Sequence, residues 1–166
     1  MKNILYLFLA LAYYRTSAQT TAEEYMSSGE SKFYLDDMKG AIVDYTKAIK
    51  IDSNYVEAYR KRGLTKETLK DYLGAIVDYT KVIEIDPNYA PAYRDRAIAK
   101  GKLKDHSGVV EDYTRSIEID PNYAPAYFNR GVSKFYLGDL IGACKDARKA
   151  QELGDDASIL IKKACN

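Results

Sequence analysis

A chain of 166 residues with 46% hydrophobic content is long enough to bury a core, and its 25 basic residues against 24 acidic ones leave a formal net charge of +1. That balance removes the overall field by which nucleic-acid binders and proteins of anionic membrane surfaces find their partners, so neither class is expected. His106 is the only histidine, with no cysteine or second histidine at metal-ligand spacing, so no metal or other cofactor is expected.

The N-terminus differs from everything after it. Lys2 is followed by an apolar run from Ile4 to Ala12 and then by the small residues Thr16, Ser17 and Ala18. This is the order of a secretory signal peptide over residues 1–18, with cleavage after Ala18 leaving Gln19 first. The run is short for a bilayer span and Arg15 closes it, so no stable membrane span is expected after cleavage. An uncleaved anchor and a buried first helix are the alternatives. Export implies a periplasmic or secreted protein.

From Ala22 the chain repeats with a period of 34 residues. Gly40 to Lys47 recurs unchanged at Gly74 to Lys81, and Asp86 to Tyr93 recurs unchanged at Asp120 to Tyr127. Such a period marks stacked supersecondary units, each leaving an apolar face open until a neighbour covers it. The units divide as 22–55, 56–89, 90–123 and 124–157, within a repeat region of 19–157 that leaves no room for a catalytic domain. In each, two stretches show helical spacing; in the second they carry Tyr59, Gly63 and Leu69, then Ala75, Ile76, Tyr79, Val82 and Ile83.

Asp37, Asp71, Asp105 and Asp139 stand where an N-cap of each second helix belongs. Pro87 and Pro121 end the second helices near Ile85 and Ile119, and Pro91 and Pro125 fall in the first turn of the next. Small residues share two phases, Gly29, Gly63, Ala97 and Gly131, then Ala41, Ala75, Val109 and Ala143, where helices must approach closely. The tyrosines at 25, 59, 93 and 127, with those at 45, 79 and 113, read as core by the same periodicity. Residues 158–166 carry Ile159, Leu160 and Ile161 beside Lys162 and Lys163, a C-terminal capping helix for the open end. Cys144 and Cys165 fit a bridge fastening that helix in an oxidising compartment, or two small buried apolar residues.

The pattern resembles the tetratricopeptide repeat family over Ala22 to Ala157, with Tyr59, Arg62, Gly63, Lys66, Ala75, Tyr79 and Pro87 at the motif positions of the second unit. The resemblance implies an all-α, right-handed superhelical solenoid of four helix-turn-helix units, whose first helices line a concave groove for a peptide or helix of a partner protein. The leader and the Cys-bearing ending look like exported bacterial members.

Where the family has Leu, this chain has Ser28, Arg62, Arg96 and Arg130, and each unit carries an acid on its second helix, Asp44, Asp78, Asp112 and Asp146. Fixed phase suggests ion pairs, such as Arg62 with Asp44 or Asp78, with the Arg stems against tyrosines. Lys32, Lys66, Lys100 and Lys134 replace an inward Tyr and are expected to form a solvated rim.

Groove positions follow from the resemblance: Glu23, Met26, Glu30, Phe33 and Tyr34; Arg60, Lys61, Leu64 and Glu67; Arg94, Asp95, Ile98 and Lys102; Phe128, Asn129, Val132, Phe135 and Tyr136. They imply a basic middle and an apolar last unit, suited to a partner with acidic residues and an apolar anchor. The carboxylate clamp by which some members hold chaperone C-termini is absent, since its places hold Met26, Glu30, Lys61, Pro91 and Asp95. One unit later they hold Arg60, Leu64, Asp95, Pro125 and Asn129. The expected function is a non-catalytic protein-interaction scaffold of the bacterial cell envelope; a self-associating array and a glycan binder are the alternatives. His106 reads as a surface residue.

Overall fold

The computed structural model describes residues 21–165, and the expected leader lies outside them. In chain order the helices are α1 (21–34), α2 (Met38–Ile51), α3 (Val56–Thr68), α4 (Tyr72–Ile85), α5 (Ala90–Lys102), α6 (His106–Ile119), α7 (Ala124–Tyr136), α8 (Leu140–Glu152) and α9 (Ser158–Ala164). Each packs on the next from α2 onwards, with α3 also touching α5 and α7 touching α9, so the helical hairpins stack into a solenoid. Among the described residues there is no strand.

Local chemistry sets the ends. Asp37, Asp71, Asp105 and Asp139 accept from the amides of Gly40, Gly74, Gly108 and Gly142 at 2.8–3.0 Å, satisfying a donor that the first helical turn leaves open. The turn inside each hairpin passes through a left-handed residue, Asp36, Lys70, Lys104 or Gly138, with φ between 62° and 84°. Only the last of these is the residue that adopts such a conformation without strain.

Close approach explains the small residues. A Cβ on Gly29 or Gly63 would stand 2.6 or 2.7 Å from the Tyr45 or Tyr79 ring, so each glycine is the socket into which the partner helix sets its aromatic. Tyr45, Tyr79 and Tyr113 are buried, and burial pushes the Tyr45 phenol up to about 12. The other tyrosine ladder departs from the core reading. Tyr93 is buried, but Tyr25, Tyr59 and Tyr127 are half-buried, and a cation covers each ring of this ladder at 4.8–5.8 Å: Lys47, Arg62, Arg96 and Arg130.

The acids of the second helices are at most 4% exposed. Asp78 receives Arg62 through two nitrogens at 3.0 and 2.6 Å, and Asp112 and Asp146 receive Arg96 and Arg130 the same way. The pairing is within one hairpin, so Asp78, not Asp44, is the partner of Arg62. A third nitrogen of each Arg reaches back to the preceding hairpin, donating to Thr46, Thr80 or Thr114 at 3.0–3.2 Å.

The expected lysine rim is overturned. Lys32, Lys66, Lys100 and Lys134 reach the same four aspartates at 2.5–2.9 Å, so a second cation shares each buried carboxylate. An acid this deeply buried needs every lone pair occupied, and one guanidinium leaves some open. In the first hairpin, Ser28 donates to Asp44 at 2.7 Å where the others have Arg. Burial works against the Asp44 carboxylate, yet hydrogen bonds from Lys32, Ser28 and Lys47 outweigh it and hold the carboxyl below its usual value.

At the far end, α9 lays Leu160 and Ala164 against Ala143, Ala147 and Ala150 of α8. Cys144 and Cys165 are joined by a disulfide across 5.1 Å between Cα atoms.

Candidate functional site: the concave groove

The first helices α1, α3, α5 and α7 carry the expected groove residues, and the structure gathers many of them into two recesses. In the first, Glu30, Phe33, Tyr34, Lys61 and Leu64 surround a space of about 80 Å³ beside Tyr45. Lys61 pairs with Glu30 at 2.9 Å across neighbouring hairpins, and the Phe33 and Tyr34 rings meet edge to face. In the second, Ile98, Lys102, Asn129 and Val132 join Gly101, His106, Val109 and Tyr113 around about 280 Å³. The Asn129 amide donates to the Pro125 carbonyl at 2.8 Å, which fixes its orientation.

Several expectations fail on burial. Met26 is 6% exposed, packed among Tyr45, Ala48 and Ala58 where the first two hairpins meet, so it is core and not groove. Asp95 is 9% exposed and takes Arg60 at 2.9 Å and Arg94 at 3.0 Å. With Glu57 also on Arg60 at 3.4 Å and Glu30 on Lys61, each of these three cations has an acidic partner, so the middle of the groove is charge-compensated, not basic. Sequence phase placed each residue on a helix but not the distance from one hairpin's acid to the next one's base.

The apolar last unit is also largely spent inside the molecule. Phe128, Val132 and Phe135 are half-buried against the cluster of α8 and α9, leaving Tyr136 as the strongly exposed member at 67%. That ring stacks on His106 with centroids 4.7 Å apart, so His106 is a half-buried wall of the groove, not a plain surface residue. Glu23 is exposed; Glu67 is half-buried and accepts from the Tyr79 hydroxyl at 3.2 Å. Burial raises the Glu67 carboxyl and Asp95 adds to this, against the opposing Tyr79 hydrogen bond and the Lys102 charge.

Gly101, His106 and Tyr113 escaped the sequence reading as groove residues. The signal for one of them was present: Gly101 occupies the phase of Phe33, Glu67 and Phe135.

A stack of helical hairpins with an open inner curve and side-chain recesses along it defines a helical-repeat solenoid. Family models match its first half. A TPR repeat model matches residues 29–70 and a tetratricopeptide repeat model matches residues 56–89. Residues 29–89 of the chain thus carry tetratricopeptide repeats.

Solved structures agree on the fold. A crystal structure of MamA protein is similar over 87% of this chain and 80% of its own, with 27% identity and a TM-score of 0.82. MamA 41-end from Desulfovibrio magneticus RS-1 is similar over 81% of this chain and 76% of its own, at 19% identity and a TM-score of 0.76. The first TPR of Spaghetti (RPAP3), bound to the HSP90 peptide SRMEEVD, covers 72% of this chain with 95% of its own, at 23% identity and a TM-score of 0.68. A comparison with curated proteins gives no significant match. Among the described residues no helix is long and apolar enough to cross a membrane.

Proposed function

We propose that the protein is a non-catalytic interaction scaffold that holds a peptide or helix of a partner protein in its concave groove, in an oxidising compartment of the cell envelope. The observation that carries the reading is the pair of recesses along one inner curve, each with apolar walls and a polar edge, spaced two repeats apart. A structural neighbour that holds a peptide on the same fold is consistent with it. The Cys144–Cys165 bridge supports the location, because thiols stay reduced in the cytosol of most organisms. Intact-mass measurement should find a species beginning at Gln19; one retaining Met1 would refute processing.

We read the protein as a monomer in isolation. Glu24 and Ser31 are exposed on α1 in the phases where later first helices bury Ala58, Ala92 and Ala126, and Thr65, Ala99 and Ser133. A polar outer face does not seed further stacking. Light scattering should give one mass across concentrations.

Groove binding is tested with dodecapeptides selected from a random phage library. Leu64→Asp and Ile98→Asp, each at a residue 39% exposed, should weaken binding at least tenfold while melting like the parent. Val77→Asp on α4, at a residue 66% exposed, is the control and should leave affinity unchanged. Equal losses at all three positions, or none, would reject the groove.

A further inference from the structure

The geometry points to a site in the third repeat for a partner's glutamate side chain, seated on Tyr113 and Lys102 in the space that Gly101 leaves open. The inference rests on the groove being the partner's seat and names what that seat selects.

The molecule contains its own template. In the second repeat Glu67 lies against the buried Tyr79, whose hydroxyl donates to its carboxylate at 3.2 Å. One period later Tyr113 repeats Tyr79 and Gly101 repeats Glu67, so the ring remains and the acid is gone. Tyr113 is 2% exposed, lines the recess, and has no hydrogen-bond partner for its hydroxyl among the described residues. No buried side-chain polar atom is left without a partner among the described residues, so this hydroxyl opens onto the recess, where an entering acceptor can take the place of water.

The space fits the missing side chain. A Cβ at Gly101 would meet only Val109, at the ordinary contact distance of 3.7 Å, whereas the equivalent recess of the first repeat, which Phe33 lines, measures about 80 Å³ against about 280 Å³ here. Ile98, Val109 and Val132 give the methylenes of a glutamate an apolar bed.

Charge completes the match. Of the cations placed in the groove, Lys61 pairs with Glu30, and Arg60 and Arg94 share Asp95, with Glu57 as a second acid on Arg60. Lys102 makes no salt bridge within 4.0 Å among the described residues and stands at the edge of the recess; its charge is felt by Glu67, and a carboxylate entering beside Tyr113 would draw on the same ammonium at closer range. A glutamine would keep the acceptor but forfeit that attraction.

The test is an NMR titration of the full mature chain with the tripeptide N-acetyl-Ala-Glu-Ala-amide, and with its glutamine counterpart. Amides of Gly101, Lys102 and Val132 should shift saturably with the glutamate peptide and at least fivefold more weakly with the glutamine one. Gly101→Glu, which returns the second-repeat pairing to the third, should fold at least as well and abolish the shifts. Lys102→Met should erase the preference for glutamate over glutamine. Saturation that is absent, indifferent to the peptide's charge, or unchanged in Gly101→Glu overturns the site. Library peptides that bind parent and Gly101→Glu alike but fail on Leu64→Asp would overturn it while leaving the groove reading intact. A library without groove-dependent binders would sink the groove reading, and the tripeptide would still decide the recess.

Discussion

The three junctions inside the array and the one at its end solve the same problem by different chemistry. At α2–α3, α4–α5 and α6–α7 the incoming helix buries Ala58, Ala92 or Ala126 completely and sends an Arg back to a Thr of the preceding hairpin. The helix α9 begins in the same phase as α7, one period later, but runs only 7 residues against 13. Leu160 takes the place of the alanine, Ala164 that of the Arg, and Arg148 that of the Thr, so the polar tie is gone. The Cys144–Cys165 bond stands in its stead. A repeat borrows its stability from the unit packed after it, and the unit followed by α9 is held by a fastening of another kind.

Removing the internal fastening should have the largest effect. Asp78→Ala leaves the half-buried Arg62 and Lys66 without their carboxylate, a loss of about 3 kcal/mol, the lower end for broken buried pairs, read from urea unfolding. A variant that melts like the parent would show that the aspartates do not hold the hairpins.

Next comes the end. Cys144→Ser with Cys165→Ser opens a loop of 21 residues' separation, worth roughly 3 kcal/mol in the chain-entropy account. Because α9 packs mainly on α8, and to a lesser extent on α7, among the described residues, hydrogen exchange should rise there first and leave α3 and α4 protected. Uniform loss of protection would contradict the separation of end from middle.

A smaller effect tests the tie between hairpins. Thr80→Val keeps the shape but removes the acceptor of one Arg96 nitrogen, at a cost of about 1 kcal/mol. The equivalent change at the end has no counterpart, since Arg148 already interrupts the pattern.

Acid distinguishes the first hairpin. Asp44 titrates below an unfolded aspartate near pH 3.9, so its contribution is whole above that value and fades as pH falls through the folded one. The stability lost in Asp44→Asn should therefore shrink on acidification below about pH 4, measured by urea midpoints across the range. A penalty independent of pH would assign the loss to packing.

The least effect lies in the hairpin turns. Lys70→Gly and Lys104→Gly relieve a left-handed non-glycine residue and should raise stability by about 0.5–1 kcal/mol each, as Gly138 already does in the last hairpin. Thermal melts would show it.

Much of this was legible beforehand. The caps at Asp37, Asp71, Asp105 and Asp139, the helix ends at Ile85 and Ile119 and the pairing of Arg with Asp follow from phase, since each is decided within one hairpin. The fates of Lys66, Met26, Asp95 and Phe135 were not legible. Each depends on how far a side chain reaches once the hairpin angle is set, or on what a neighbouring hairpin brings near. Lys66 looked like a rim residue because its helix position is peripheral, yet its stem is long enough to return to Asp78 at 2.7 Å.

The sequence by itself determined the repeat, its helices, their caps and the order of the stack, because a fixed period imposes the same local bonding on every unit. Only the tertiary structure decided which groove cations are already matched, which aromatics the end helix covers, and that Gly101 leaves Tyr113 facing open space. Those outcomes turn on distances between residues that sit on different helices, and a linear pattern carries the phase of a side chain without its reach.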